Sequence, residues 1–417
     1  MSPATVLVSP SGWPTWGVPL SRNGRCRAGH RLVPALAVAL QILLCIAAPS
    51  DAAAQTSAGA AFDAAMRGWM AKHSIPRGSV AVMVEDRLVF AAGYGDRAAN
   101  ERVAVWSMSK PITGVCIAIL VQEGKLALDD PVGKLLASVL AKHGEPGDER
   151  LRGVTVAQLL AHRSGLPESV GDNRFAPGAV QLLQQRPLSE ATVDMLLPAI
   201  MKLQLAASPG ARFAYSNVGF LLLGQIIEAV TGEPYERACG ERVLAKAGIR
   251  EPRLDPKWGR LLHATAGWAL SGPEYLAFAR LLSRRGDGPL TGAMHDRLRA
   301  PADKWINERR VVAYTLGVNI HTFASAEPNI YHGGGWLWSG TYAERRGTWF
   351  VLTNAGVAWF ASFDGMLSYS NPKEVGELHE ALWQASRRLS SWPAHDLFAE
   401  MGVGPIARTG EARRARK

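Results

Sequence analysis

The order of strand-like and helix-like segments is the feature that most constrains the fold of this chain. Residues 79–95, "SVAVMVEDRLVFAAGYG", contain two β-branched apolar runs joined by a turn at Glu85–Arg87, which is typical of a hairpin. Residues 125–300 are rich in helical patterns, strand patterns return from about residue 312, and a closing helix is expected at 374–390. This order predicts an α+β fold, with an antiparallel sheet built from both chain ends, flanked by helices, and an inserted all-helical domain.

The same order sets the expected domain boundaries. The chain has 417 residues, 47% hydrophobic and 20% charged, which is ordinary globular composition and enough for two packed units. A cleft between the two parts is the expected place for a functional site. The expected segments are a leader at 1–54, a folded domain at 55–400 with its α/β part at 60–124 and 301–392 and its helical insert at about 125–300, and a basic tail at 401–417.

The leader has the pattern of an export signal. Four arginines (Arg22, Arg25, Arg27 and Arg31) precede the apolar run "LVPALAVALQILLCIAAP", and the small residues "DAAAQ" follow it. This order predicts cleavage after Ala54 and a periplasmic or secreted protein. The alternative is an uncleaved anchor in the inner membrane, because the apolar run approaches the roughly 18 residues of a membrane span.

Two of the four cysteines, Cys116 and Cys239, follow the leader. Cys116 lies in a helical apolar pattern, where a free cysteine usually behaves as a small buried hydrophobe. In an exported protein the two could also pair, and the sequence leaves both possibilities open. No cysteine–histidine cluster has the spacing of a zinc site. Neither a metal nor an organic cofactor is implied by the sequence.

The formal net charge is +10. This positive net charge is consistent with charges scattered over the surface, and equally with attraction to anionic cell-wall polymers and membrane surfaces. No nucleic-acid-binding motif is present, so no nucleic-acid partner is expected. The expected partner is a small-molecule or peptide substrate, with cell-wall peptides among the candidates, and the oligomeric state is left open.

The stretch "VWSMSKPITG" at residues 105–114 places Ser107 three residues before Lys110. In a helical segment these side chains lie on one face, and a neutral lysine amine can then take the serine proton. The lysine pKa must be lowered from about 10.4, which burial does. The backbone N–H of Ser107 at a helix start could also donate to an oxyanion. Alone, the pattern equally suits a serine cap beside a surface lysine.

A second motif, Tyr215-Ser216-Asn217, lies in a predicted turn just before the apolar helix "VGFLLLGQIIEAVTG". The tyrosine and the asparagine bring two groups to one place: a phenol that can transfer a proton, and a side-chain amide. Asn217 could equally be the N-cap of the helix.

A third motif is the run Gly333, Gly334 and Gly335 directly after His332, within "YHGGGWLWSGTY". Glycine weakens a strand interior and usually marks a close approach to the backbone. An edge strand that lines a site needs this feature, because its N–H groups can then point at a substrate carbonyl. The alternative interpretation is a flexible bulge.

Together the three motifs, in this order, resemble a known superfamily. S-x-x-K with two further motifs is the signature of β-lactamases and penicillin-binding proteins. The chain resembles the group with a tyrosine motif in the middle, which includes class C β-lactamases, D-alanyl-D-alanine carboxypeptidases, D-aminopeptidases and related esterases and amide hydrolases. The resemblance covers roughly residues 60–390 and extends to "LLAHRSGLPE" and "YSNVGFLLLGQIIEAVTGEPYE".

The resemblance implies a role for each motif residue. Ser107 would be the acylated nucleophile of a serine hydrolase, and Lys110 its base. Tyr215 would share the proton relay and help to activate the deacylating water. The implied substrate-binding residues are Asn217, His332, Gly333 and Gly334, and the implied oxyanion hole consists of the backbone N–H groups of Ser107 and Gly335.

One position departs from the pattern of β-lactamases, which carry a lysine where His332 stands. A neutral histidine holds a drug carboxylate less well, so efficient β-lactam hydrolysis is in doubt while acyl transfer is not. The substrate stays open between a small ester, a D-amino-acid peptide and a β-lactam. Loops at 164–190 and 250–265 are expected to shape the pocket. The alternative to an enzyme is a penicillin-binding or sensing protein that binds wall peptides or β-lactams without turnover.

Two further patterns support other interpretations only weakly. The sequence H-G-G-G is also found in lipases of the α/β-hydrolase fold, but there it precedes a G-x-S-x-G elbow, which is absent here. The stretch "TVAQLLAHRSGL" predicts a helix stopped by Ser164–Gly165, and His162 within it is expected to be structural. Three tryptophans either line an apolar pocket or belong to the core: Trp268, Trp336 and Trp338.

Overall fold

A computed structural model describes most of the chain after the leader. Its described residues are 51–169, 187–284, 288–300, 306, 311–323, 326–336, 346–365 and 372–407. Much of the predicted loop at 164–190, as well as Trp338, lies outside these ranges. Within them, no helix is both long enough and apolar enough to cross a membrane.

The centre of the molecule is a seven-stranded antiparallel sheet in the order β2-β1-β10-β9-β8-β7-β6, accompanied by a small sheet in the order β3-β5-β4. The strands are β1 (Arg77–Val84), β2 (Arg87–Tyr94), β3 (Val103–Ala104), β4 (Arg253–Leu254), β5 (Trp268–Leu270), β6 (Val312–Thr315), β7 (Val318–Phe323), β8 (Ala326–Trp336), β9 (Arg346–Leu352) and β10 (Val357–Asp364).

The sheet joins the two ends of the chain as the sequence predicts. Strand β1 pairs with β10 in a register that sets Arg77 opposite Asp364. The hairpin β1–β2 turns at Glu85 and Asp86, whose φ angles of 48° and 66° suit the tight turns that match strand twist. The predicted α+β architecture is therefore confirmed.

Helices cover both faces of the sheet and fill the insert. They are α1 (Asp51–His73), α2 (Ser109–Gln122), α3 (Val132–Leu135), α4 (Ala137–His143), α5 (Val156–Leu160), α6 (Leu197–Met201), α7 (Asn217–Thr231), α8 (Tyr235–Cys239), α9 (Gly259–Ala266), α10 (Gly272–Ala279), α11 (Gly292–Arg299) and α12 (Pro372–Arg387).

Helices α1 and α12 form the rear layer, on one face of the sheet. They cover an aromatic core that includes Trp349, Trp359 and Phe363, all nearly inaccessible to solvent. The Trp69 indole N–H donates to the Glu374 carbonyl oxygen, which ties α1 to α12. The closing helix is where the sequence places it, whereas α1 has no counterpart among the predicted elements.

Helices α2, α7 and α9 pack on one another on the front side. Residues 109–120 of α2 are buried, which explains why the helix is apolar on all sides. A disulfide joins Cys116 in α2 to Cys239 in α8, and both side chains are fully buried. Because the bridge closes a segment of 123 residues, loop closure is expected to contribute about 2–5 kcal/mol to stability.

The structure adds detail at three places along the chain. The segment 250–265 is not one long loop, because α9 begins at Gly259. Helix α10 packs on the sheet, where Tyr275 contacts the rings of Phe350 and Phe360. Near the end of the described residues, Val403 is buried.

Candidate active site

Ser107 lies in a short 3-10 turn, Trp106–Met108, that leads directly into α2. Trp106 has a φ of 52°, an uncommon value for a residue with a side chain. The buried Trp106 ring packs edge-on against Trp258 with 6.0 Å between ring centroids, which holds the turn in place. Ser107 itself stays partly accessible to solvent.

Lys110 lies one helical turn further along and is fully buried. Its Nζ lies 3.1 Å from Ser107 Oγ, 2.9 Å from Asn217 Oδ1 and 3.0 Å from the Thr265 carbonyl oxygen. Burial holds the pKa of Lys110 well below its usual value.

These contacts give the neutral amine a defined orientation. An amide oxygen and a carbonyl oxygen can only accept, so the two N–H groups of a neutral Lys110 donate to Asn217 Oδ1 and to the Thr265 carbonyl. The lone pair then faces the third neighbour, Ser107 Oγ, whose proton it can accept. An ammonium could donate to all three atoms, but burial disfavours the charged form.

The Tyr215–Asn217 turn adjoins the same lysine. The Tyr215 ring centroid lies 4.9 Å from Lys110 Nζ, and the ring is only partly buried. Ser216 is the N-cap residue of α7 and Asn217 is its first residue, so the alternative of Asn217 as N-cap is wrong. The structure therefore brings Ser107, Lys110, Tyr215 and Asn217 together.

Strand β8 approaches this group from the other side. It pairs with β7 only as far as Tyr331, so Gly333, Gly334 and Gly335 have no β7 partner and face the Ser107 turn instead. A Cβ atom on Gly334 would lie 2.4 Å from both the Val105 carbonyl oxygen and Thr348 Oγ1. The close approach expected from the glycines exists, and the groups that approach Gly334 belong to the protein itself: a backbone carbonyl and a threonine side chain.

His332 is buried beside Tyr314 rather than exposed to solvent. Its Nδ1 lies 2.6 Å from the Gly333 carbonyl oxygen, and its Nε2 lies 2.9 Å from the Tyr314 hydroxyl. The carbonyl oxygen only accepts, so Nδ1 of the neutral ring donates to it. Nε2 faces the Tyr314 hydroxyl, whose single proton also has the Gly317 carbonyl oxygen as an acceptor at 3.0 Å. Burial and the nearby Lys110 lower the pKa of His332 to about 3, which leaves the ring uncharged at neutral pH.

The site includes three residues that the sequence analysis did not select as candidate site residues. Thr265 accepts from Lys110 through its carbonyl and donates from Oγ1 to Asn217 Oδ1 at 3.1 Å. Tyr314 contacts His332, and the His162 ring lies 4.2 Å from the Tyr215 ring. A backbone acceptor such as the Thr265 carbonyl cannot be recognised in a sequence, because every residue has one. His162 could have been recognised, because it lies in the stretch "LLAHRSGLPE" that resembles the family.

The remaining candidates fall outside the site or outside the described side chains. Trp268 is fully buried and its indole N–H donates to the Tyr235 hydroxyl at 3.0 Å, so Trp268 belongs to the core. The described part of the chain contains no cluster of three or more histidine, cysteine or carboxylate side chains that could hold a metal ion.

Comparison with known proteins places these features in a family. A family model described as Beta-lactamase matches residues 62–367. Protein flp of Staphylococcus aureus (strain MW2) is 28% identical over 209 residues, which are 48% of this chain and 39% of that protein. The chain thus spans about two fifths of the length of this relative.

Two solved structures show the same fold at low identity. One is a D-stereospecific amidohydrolase from Streptomyces sp., with 22% identity, a TM-score of 0.58 and coverage of 80% of this chain and 98% of that one. The other is EstCE1, a hydrolase with promiscuous acyltransferase activity, with 16% identity, a TM-score of 0.63 and coverage of 79% and 99%.

Proposed function

The chain belongs to the beta-lactamase family of serine hydrolases, and from this premise we propose that it hydrolyses an ester or amide through an acyl-enzyme on Ser107. The observation that carries the proposal is the buried Lys110 amine 3.1 Å from the Ser107 hydroxyl oxygen. A base that is neutral at working pH and lies beside a serine hydroxyl is what nucleophilic acyl transfer requires.

In the first half-reaction, Ser107 Oγ attacks the substrate carbonyl carbon while its proton passes to Lys110 Nζ. The oxygen of the tetrahedral intermediate would be held by the backbone N–H groups of Ser107 and Gly335. The C–O or C–N bond then breaks, the proton leaves with the alcohol or amine, and the acyl group stays on Ser107. A lost oxyanion donor typically costs about 3–4 kcal/mol of transition-state stabilisation.

In the second half-reaction, water attacks the acyl carbon and Ser107 leaves as the free hydroxyl. We assign Tyr215, together with Lys110, to the removal of the water proton. The Tyr215 ring centroid lies 4.9 Å from Lys110 Nζ, so the two residues are neighbours, and this supports the assignment.

For the substrate we propose a small acyl ester or an amide of a D-amino acid rather than a β-lactam with a carboxylate. The support is the buried, neutral His332 at the position where β-lactamases carry a cation. We assign Asn217, Gly333 and Gly334 to the walls that receive the acyl group, and His332 to their support. The name of the D-stereospecific amidohydrolase agrees with the amide in this range of substrates.

We also propose export, with cleavage after Ala54. The leader pattern supports it, and so does the disulfide Cys116–Cys239, because disulfides persist chiefly in oxidising compartments. Amino-terminal sequencing of the protein recovered from its native host tests this directly. Recovery of a chain that still carries residues 1–54 would contradict cleavage.

The test of function uses p-nitrophenyl esters of short acids and, separately, a fluorescent penicillin, with mass spectrometry to locate any adduct. We expect ester turnover in the wild type and its loss in Ser107→Ala. Stable penicillin labelling at Ser107 without turnover would favour the alternative of a penicillin-binding or sensing protein. Turnover that survives in Ser107→Ala would overturn the proposed mechanism.

A further inference from the structure

His162 lies just after α5 and is almost completely buried, with 1% of its surface exposed. Helix α5 ends at Leu160, so the predicted continuation of the helix to Ser164–Gly165 is wrong. The backbone of His162 instead adopts a φ of 54°, which is uncommon for a residue with a side chain. Strain of this kind persists only where the surroundings stabilise it, and it often accompanies a functional site.

His162 holds the chain on both sides of Tyr215. The backbone N–H of Ala214 donates to the His162 carbonyl oxygen at 2.8 Å. The backbone N–H of Ser216 donates to His162 Nδ1 at 3.1 Å. One residue thus receives the amides immediately before and immediately after the proposed catalytic tyrosine.

The ring of His162 also fills the space behind the tyrosine. Its centroid lies 4.2 Å from that of Tyr215 and 4.5 Å from that of Tyr314. Because Nδ1 accepts a hydrogen bond, the proton of the neutral ring is on Nε2, and this buried atom has no hydrogen-bond partner among the described residues. Burial, with Lys110 and His332 nearby, keeps the pKa of His162 well below its ordinary value.

An apolar ring of similar size could fill the same space, but it could not accept a hydrogen bond at the position of Nδ1. The hydrogen bond to the Ser216 amide is therefore the specific contribution of a histidine here.

We propose that His162 is a positioning residue that sets the phenol of Tyr215 against Lys110 by fixing the two flanking amides. The inference rests on the proposed function of Tyr215 and names the group that orients it. His162 makes no contact with the reacting atoms in this scheme and acts only through Tyr215.

The test separates the hydrogen bond at Nδ1 from the ring. His162→Phe keeps an aromatic ring and loses the acceptor. His162→Asn keeps an acceptor, because Asn Oδ1 lies close to the position of Nδ1, and asparagine tolerates a positive φ. We expect kcat for ester hydrolysis to fall about 30-fold in His162→Phe, with KM within about twofold, and to stay within about threefold of wild type in His162→Asn.

A double-mutant cycle shows whether the effect passes through Tyr215. In a Tyr215→Phe background, His162→Phe should lower kcat by less than about twofold, since residues that act as one unit are not additive. His295 provides the matched control, because it is also a buried histidine but lies in α11 beside Arg299. His295→Phe should leave kcat within about twofold. Equal losses from His162→Phe in both backgrounds, or an equal loss in His295→Phe, would overturn the proposal.

An activity-independent readout keeps this inference distinct from the proposed function. Hydrogen exchange of a peptide that covers residues 213–217 should accelerate in His162→Phe and remain slow in His162→Asn. If His162→Phe does not fold, His162→Gln replaces it. The glutamine side-chain amide reaches the position of Nε2 rather than that of Nδ1, so this variant also loses the acceptor for the Ser216 amide. Unchanged hydrogen exchange in His162→Phe would refute the positioning role. Wild-type activity in Ser107→Ala, together with faster exchange in His162→Phe, would refute only the proposed function.

Discussion

The two faces of the central sheet use the same strands for different purposes. Strand β9 directs Trp349 to the rear core and the next residue, Phe350, to the front core. Strand β10 does the same with Trp359 and Phe360. The rear face meets α1 and α12 through large aromatic rings, whereas the front face meets the helices that carry Ser107, Lys110 and the tyrosine turn.

The difference follows from the strand period of two, which sends neighbouring side chains to opposite faces. On the rear face the contacts are ring against ring, and a lost ring leaves a cavity. On the front face the backbone of β8 at Gly334 lies close to the Val105 carbonyl and to Thr348 Oγ1, so an added carbon displaces the turn before Ser107. Stability and chemistry are therefore expected to respond to different substitutions.

The largest expected effect comes from Lys110→Met on the front face. Removal of the proposed base should lower kcat/KM for ester hydrolysis by at least about 1000-fold, because Ser107 would then lack the amine that we propose as its proton acceptor. The measurement is steady-state kinetics, with circular dichroism to establish that the variant is folded.

The matched control is Lys134→Met, at a lysine that is 67% exposed in a surface ion pair with Asp130. This variant should leave kcat/KM unchanged. If Lys110→Met retained more than a tenth of wild-type activity, the assignment of chemistry to this helix would be wrong.

On the rear face, Trp359→Ala should lower the free energy of unfolding by about 3–5 kcal/mol, since a fully buried indole is lost from a packed core. At temperatures where the variant is folded, kcat should stay within about twofold of wild type. Urea unfolding and kinetics on the same preparation measure both quantities. A fall in kcat well beyond twofold in the folded variant would break the proposed division between the faces.

A smaller effect is expected from Gly334→Ala. The new Cβ would meet the Val105 carbonyl oxygen and Thr348 Oγ1 at 2.4 Å, so β8 and the Ser107 turn must move apart. We expect kcat to fall about 10- to 100-fold, which is the typical cost of a displacement of about 1 Å at a reacting centre.

The rear layer offers a glycine for comparison. Gly68 lies within α1, and a Cβ there would have no neighbour within 4 Å. Gly68→Ala should raise the free energy of unfolding by about 0.5–1 kcal/mol and leave kcat unchanged. Loss of activity in this variant, or none in Gly334→Ala, would contradict the contrast.

The sequence predicted the sheet and the grouping of the motifs because both depend on residue type. Alternating β-branched runs identify the strands, and a serine three residues before a lysine identifies a shared helix face. Helix α9 was missed because "GRLLHATA" contains a histidine, a threonine and glycine at positions that weaken helical signals. Its contribution to the site, the carbonyl of Thr265, is a backbone atom that any residue would supply.

Two other features of the site depend on tertiary context. The pairing of Cys116 with Cys239 requires α2 and α8 to be adjacent, which no spacing along the chain reveals. The role proposed for His162 depends on a positive φ and on contact with a turn about 50 residues later, and a histidine alone indicates neither. The roles assigned to Ser107, Lys110, Tyr215 and the glycines of β8 remain predictions for the experiments above.

The smallest expected effect concerns pH and the neutral histidines of both faces. Burial lowers the pKa of His332 on the front to about 3 and that of His379 on the rear to about 4. An unfolded histidine takes up a proton near pH 6.5, whereas these two do so only at lower pH. Unfolding therefore takes up protons between about pH 6.5 and 4, and stability is lost as the pH falls through that range.

In His379→Gln, unfolding should take up one proton fewer. The midpoint of acid unfolding should therefore shift down by roughly 0.3 pH unit. His332→Gln should shift it similarly but also change kcat. Acid titration followed by tryptophan fluorescence measures the midpoints. Identical midpoints in His379→Gln and wild type would show that the rear histidine does not contribute.

The pairing of β1 with β10 also has a consequence for the order of synthesis. Arg77 and Asp364 are partners in the sheet, yet 364 − 77 = 287 residues separate them along the chain. At about 10 residues per second, a ribosome needs roughly half a minute to make the second partner after the first. During that interval the edge of β1 that later pairs with β10 stays open, an exposure that invites association with other nascent chains. Slow completion of the sheet thus makes this protein a candidate for dependence on chaperones, whatever its substrate.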